Sequence, residues 1–184
     1  GAADWLLGLV TGGLPKVGRI GLVYFASEKG RILTEMTATR LGEDEFLMMT
    51  GAGAYWHDRD LLNFNLPGTS SVSISDVTTE MATLLVTGPK APAVMAGLTG
   101  EGMGHDEFPW LTYRQMELAG VKVTAIRVSF AGEAGWELHC AMDDVKPLYD
   151  AVWAAGAAHQ IGNFGMLALD SMRLEKGYRS WKAD

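Results

Sequence analysis

The chain opens with apolar residues at helical spacing, Trp5, Leu6, Leu9 and Val10, which predicts a helix over 2–10. Thr11-Gly12-Gly13 stops it, and Pro15 bars its continuation. The apolar run Gly21–Phe25 predicts a strand, followed by a turn at Ser27-Glu28-Lys29-Gly30. Residues 31–41 alternate, with Ile32, Thr34, Met36 and Ala38 on one face and Leu33, Glu35, Thr37 and Thr39 on the other. A further turn at Gly42-Glu43-Asp44-Glu45 leads to a strand over 45–50, and Gly51-Ala52-Gly53 leads to a helix over 55–64.

The second half predicts strands over 71–78 and 81–87, a helix over 90–98 opened by Gly88-Pro89, and a loop over 101–109. Strands are expected over 113–118, 121–130 and 135–140, broken at Ala119-Gly120 and at Ala131-Gly132-Glu133. An amphipathic helix over 143–159 presents Val145, Leu148, Tyr149, Val152 and Trp153 on one side. A loop over 161–165 and a last helix over 166–176 complete the pattern. Strands and helices in mixed order, without a regular βαβ beat, predict an α+β fold of antiparallel sheets with flanking helices. One domain over 1–184 is expected, in lobes 1–70 and 71–184.

Composition narrows the function. With 184 residues, 48% hydrophobic and 20% charged, the chain is globular rather than disordered. A net charge of −7 argues against a phosphate-backbone or anionic-membrane partner. No apolar run reaches the roughly 18 residues of a membrane span. A single cysteine, Cys140, excludes an internal disulfide framework and fits a reducing compartment. The absence of an initiator Met and the abrupt end at Trp181-Lys182-Ala183-Asp184 read as cuts at both ends of a longer polypeptide.

Candidate chemistry is sparse. Gly51-Ala52-Gly53-Ala54-Tyr55-Trp56 follows a strand and precedes a helix, as a dinucleotide fingerprint does, but Trp56 stands where Gly or Ala is required. The segment reads as a strand-to-helix turn, so neither FAD nor a nicotinamide is expected here. His57, His105, His139 and His159 form no zinc spacing, and no metal is expected, the polar cluster His105-Asp106-Glu107 included. His139 and Cys140 are strand neighbours pointing to opposite faces, so Cys140 reads as a buried thiol. Two carboxylates stand out. Glu35 lies in an apolar, Thr-rich strand, either as an outward-facing residue or as a charge with a function. Glu133 lies in the Gly-flanked turn Phe130-Ala131-Gly132-Glu133-Ala134-Gly135-Trp136, either as a solvated turn residue or where a ligand can approach the backbone.

The stretch Val123–Leu138, with Phe130-Ala131-Gly132-Glu133-Ala134-Gly135-Trp136-Glu137 at its centre, resembles the signature of the glycine-cleavage T-protein (aminomethyltransferase) family. Ile161-Gly162-Asn163-Phe164-Gly165 and Leu169-Asp170-Ser171-Met172-Arg173-Leu174-Glu175-Lys176-Gly177-Tyr178 resemble the next family block in its dimethylglycine and sarcosine dehydrogenase form. Leu14-Pro15-Lys16-Val17-Gly18 and Lys29–Thr39 are similar to the same branch, so the resemblance runs through nearly the whole chain. It implies a tetrahydrofolate-binding domain that converts an iminium or formaldehyde unit to 5,10-methylenetetrahydrofolate. It also implies a partner FAD-oxidoreductase domain elsewhere in the same polypeptide, with FAD held only there.

Glu133 would then hold the pterin edge, because a carboxylate accepts two N–H donors in a fork. Glu35 would be the catalytic carboxylate, orienting the reacting folate nitrogens. The two carboxylates are expected at a common cavity. Tyr24, Phe130, Trp136 and Arg173 are the further folate-binding candidates, with Phe25 and Trp110 as other aromatics that could stack on the ring. Thr34-Glu35 stands where T-proteins carry Asp-Asp, Phe130 where the turn has Tyr, and Leu169 where an Arg precedes the aspartate. A stand-alone aminomethyltransferase or folate-dependent demethylase, and a non-catalytic folate-binding module, are the alternative readings. The implied location is the bacterial cytoplasm or the mitochondrial matrix.

Overall fold

A computed structural model describes residues 1–68 and 71–181. The expected terminal segment beyond Trp181 therefore lies outside the described residues, as does residue 70 at the expected lobe boundary. The chain divides into two compact units, Gly1–Asp76 and Val77–Asp184. Each is built on a four-stranded antiparallel sheet, so the architecture is α+β.

In the first unit, α1 (Ala2–Leu9) leads into β1 (Val10–Thr11), β2 (Ile20–Ala26), β3 (Ile32–Arg40) and β4 (Phe46–Met49), which pair in chain order, and α2 (Tyr55–Phe64) follows. Pairing of Val23 with Met36 and of Phe25 with Thr34 puts one set of side chains on a closed face. There Leu6, Val10, Val23, Phe25, Met36 and Ala38 are buried, with Leu61 and Leu62 of α2 packed against them. Gly51–Ala54 is a tight strand-to-helix turn, with Ala54 N–H on the Gly51 carbonyl at 2.8 Å, and Trp56 faces outward. Asp58 is buried, accepts a bond from the Thr50 hydroxyl and meets His57 Nδ1 at 2.8 Å, which ties α2 to the end of β4.

The second unit runs β5 (Met81–Thr87), α3 (Ala91–Thr99), β6 (Tyr113–Leu118), β7 (Val121–Ile126), β8 (Gly135–Ala141), α4 (Val145–Gly156) and α5 (Met166–Glu175). The sheet order is β5-β8-β7-β6. The alternate residues Val86, Trp136, Leu138, Cys140, Val123 and Ala125 form a core with Val94 and Met95 of α3 and Leu148 and Val152 of α4. Among the described residues no helix is long and apolar enough to cross a membrane.

Several element boundaries differ from the pattern; Val10 and Thr11, expected to end the first helix, form β1. Residues 71–78 alternate like a strand but join neither sheet among the described residues. The strand expected to reach Phe130 ends at Ile126, where Val128 N–H turns back onto the Ile126 carbonyl at 3.0 Å. The Arg127 side chain goes inward, donating to the Gly104 carbonyl at 2.7 Å and to the Phe108 carbonyl. The helix expected over 143–159 is α4 with a 3₁₀ turn at either end, Met142–Asp144 and Ala157–His159.

The segment after α5 returns to the turn before β8. Gly132 has φ +72°, and a Cβ there would lie 2.2 Å from Lys176 Cγ. The aliphatic stem of Lys176 therefore rests on the glycine. Gly177 shares that φ but has open space around it. Gly132→Ala should therefore cost more stability than Gly177→Ala. Each bears the about 1–2 kcal/mol of a left-handed backbone, and only the first displaces a side chain. Denaturant midpoints at unchanged slope measure the difference. The Cys140 thiol is buried, and burial, then the charge of Asp144, pushes its pKa up. A thiol reagent at neutral pH should label the protein's one cysteine only after unfolding, because the thiolate is the reactive form.

Candidate functional site

In the first unit Tyr24 and Glu35 are direct cross-strand partners of β2 and β3. They lie on the face opposite the packed Val23–Met36 pair, beside Leu22 and Thr37, which pair next to them. Glu35 is half-buried, and so is Tyr24. The strand places a carboxylate next to a phenol because two-residue periodicity puts both on the open side of the sheet. A pair of this kind can accept and donate hydrogen bonds to a polar ligand lying on that face.

In the second unit the candidate site is the turn between β7 and β8. The Thr87 hydroxyl bonds Ser129 Oγ at 2.8 Å and the Ala134 carbonyl at 3.2 Å, and Gly88 N–H bonds the same carbonyl at 2.9 Å. Gly135 allows this closeness, since a Cβ there would meet Ser129 Cβ at 2.8 Å. Glu133 stands on the turn with its side chain 36% exposed, and its Oε1 meets Lys176 Nζ at 2.8 Å. The bond that Lys176 donates to Glu133, and that carboxylate's negative charge, push the Lys176 pKa above the ordinary 10.5. On the alkaline side the lysine's contribution is therefore fully present up to the ordinary lysine value and is lost as pH rises through the higher one.

Phe130 and Tyr178 stack with centroids 6.2 Å apart and planes 19° apart, and both rings remain partly exposed. The Arg173 guanidinium lies 6.0 Å from the Phe130 centroid, is itself buried, bonds Asp170 at 2.8 Å and donates to the Tyr178 carbonyl at 2.9 Å. Arg173 thus braces the aromatic pair.

Two sequence expectations change here. Trp136, expected among the ligand-facing aromatics, is fully buried. Its ring packs edge-on against Phe108 and under the Arg127 guanidinium, 5.2 Å from the centroid, so it has no open face to offer. The space beside Gly132, expected to admit a flat ring, is filled by the Lys176 stem. Glu133 remains accessible, as one half of an ion pair.

Sequence reasoning missed Lys176 as the partner of Glu133 and Tyr178 as the partner of Phe130. Their adjacency to the family-like block was visible, but nothing in the spacing shows that the chain after a helix returns to a turn more than forty residues earlier. Arg127 was missed as well, because a lone Arg at a strand end does not reveal that its head is buried. His139 lies on the sheet face away from Cys140, as alternation requires, with Nδ1 2.9 Å from Thr83 Oγ1. Among the described residues no group of three or more His, Cys, Asp or Glu is gathered as metal ligands would be. A cavity of about 650 Å³ in this unit is walled by residues including Leu84, Val86, Val152, Trp153 and Phe164. Glu133 does not line it.

The geometry can be set beside known proteins. The GCVT N-terminal domain model matches residues 1–184. Human mitochondrial dimethylglycine dehydrogenase is 38% identical over 169 residues, covering 91% of this chain and 20% of that protein. Human mitochondrial sarcosine dehydrogenase is 31% identical over an alignment of 197 residues, covering 100% of this chain and 21% of that protein. The chain thus spans about a fifth of the length of these curated relatives. The solved structure of glycine cleavage system aminomethyltransferase T from Bartonella henselae superposes with a TM-score of 0.78 at 23% identity, over 97% of this chain and 46% of that one, which establishes a common fold. With an α+β fold of this type and a family match from the first residue to the last, the chain belongs to the GCVT N-terminal domain family.

Proposed function

We propose that this chain is the tetrahydrofolate-binding, one-carbon-transfer region of a dimethylglycine or sarcosine dehydrogenase-like protein, working with an FAD-oxidoreductase domain of the same polypeptide. The observation that carries the reading is Glu133, an accessible carboxylate on a glycine-flanked turn of the family type, 36% exposed beside the stacked Phe130–Tyr178 pair.

The residues fit a pterin. Its amino-pyrimidinone edge offers adjacent N–H donors, and Glu133 accepts them as charge-assisted bonds. Phe130 and Tyr178 supply apolar surface at the rim, with Arg173 as their brace. Bound tetrahydrofolate supplies the nitrogens that capture a one-carbon unit as 5,10-methylenetetrahydrofolate. Glu35 would orient a reacting folate nitrogen and accept its proton, with Tyr24, its cross-strand partner, offering a further hydroxyl. Trp136 acts from within the core, holding the start of β8 that follows the Glu133 turn. The oxidation of a methylated amine belongs to the flavin domain. The fold likeness to an aminomethyltransferase keeps a stand-alone transferase as the second reading. A full-length protein whose flavin is reduced by a methylated amine decides for the dehydrogenase, and one that binds no flavin decides for the transferase.

The roles separate by variant in the full-length protein. Glu133→Gln should weaken tetrahydrofolate binding by roughly 10- to 100-fold, while amine oxidation continues and formaldehyde is released in place of methylenetetrahydrofolate. Glu35→Gln should leave folate affinity near normal and slow the transfer step by about 10²-fold or more. Calorimetric titration with tetrahydrofolate and product analysis check both. Unchanged affinity in the first variant, or undiminished methylenetetrahydrofolate yield in the second, would overturn the respective role.

A further inference from the structure

The Glu133–Lys176 pair presents an acceptor and a donor side by side on the surface of the second unit. The Lys176 ammonium is 2.8 Å from Glu133 Oε1, and the two side chains are 43% and 36% exposed. The lysine stem is held in place because Gly132 has no side chain to push it away. An ammonium has three donors, so one bond to Glu133 leaves two for a ligand. A carboxylate has about four acceptor positions, so the lysine uses only part of its capacity.

A 4-oxopterin edge carries, in order, the carbonyl acceptor at position 4, the N3–H donor and the 2-amino donor. Its complement is a donor followed by two acceptors. We propose that Lys176 is a specificity-determining residue that donates to the 4-oxo group while Glu133 accepts from N3–H and the 2-amino group. This assignment rests on the reading of Glu133 as the pterin anchor. Lys176 selects 4-oxopterins against 2,4-diaminopterins, in which an amino donor replaces the carbonyl and faces the ammonium; ring N3 there also loses its hydrogen, so Glu133 adds to the same preference. Discrimination of this type comes from an unfavourable donor–donor encounter as well as from a favourable bond. An exposed ion pair alone adds little to stability, so the precise seating of Lys176 on Gly132 gains its meaning from the ligand.

The test compares tetrahydrofolate with 4-amino-4-deoxytetrahydrofolate in the full-length protein. Affinities are measured by calorimetry for the wild type and for Lys176→Met, Lys176→Arg and Glu133→Gln. The wild type should prefer the 4-oxo ligand by about tenfold or more. Lys176→Met should shrink the ratio several-fold without abolishing it, chiefly by weakening tetrahydrofolate, because the N3 that faces Glu133 still differs between the two ligands, and Lys176→Arg, which keeps donors, should retain more of the preference. A ratio unmoved by Lys176→Met, or equal weakening of both ligands, overturns the inference while the Glu133 anchor stands. Tetrahydrofolate affinity that Glu133→Gln leaves unchanged overturns the anchor and this inference together.

Discussion

Contact between the Lys176 stem and the bare Cα of Gly132 is the constraint on which the second unit's site depends. The turn needs a left-handed residue there, and only glycine meets that need without strain while leaving room for a side chain from elsewhere. The lysine stem enters that room, and its ammonium reaches Glu133. The same segment lays Tyr178 on Phe130, with Arg173 holding the Tyr178 carbonyl. A single missing Cβ thus fixes the position of the carboxylate, its charge partner and an aromatic pair at once.

The two units solve one problem in two ways. Each sheet buries one face against helices and leaves polar residues on the other. In the first unit the closed face is filled by Val23, Phe25 and Met36, and the opposite face is left to Tyr24 and Glu35. In the second, Trp136, Leu138 and Cys140 alternate inward along β8, while the candidate chemistry sits on the turn before it. A carboxylate on a strand is held rigidly by the ladder. A carboxylate on a turn needs outside support, and the chain after α5 supplies it.

Much of this was legible in the sequence, for physical reasons. α2 begins at Tyr55 and ends at Phe64 as expected, because glycines bound it on one side and helical spacing runs through it. β3 alternates from Leu33 to Ala38, which is why periodicity alone separates Glu35 from Met36, although Ile32 is exposed and Thr39 is buried beside Ala38. Residues 71–78 show the limit of that argument, since alternation describes a strand but does not supply its partner. Trp136 shows another, because a large aromatic after a glycine turn reads equally well as a ligand surface and as a core. The Glu133 turn was visible as a motif. Its pairing with Lys176 was not, because contacts between distant segments leave no period in the sequence.

The position of a reduced pterin in the full-length protein decides whether Glu133 and Lys176 read its edge. A crystal structure of that protein with bound tetrahydrofolate tests it. The expected result is the N3–H and 2-amino groups within hydrogen-bonding distance of the Glu133 carboxylate, with Lys176 Nζ at the 4-oxo oxygen. A pterin seated away from the turn, with the Glu133–Lys176 pair unchanged, would contradict it.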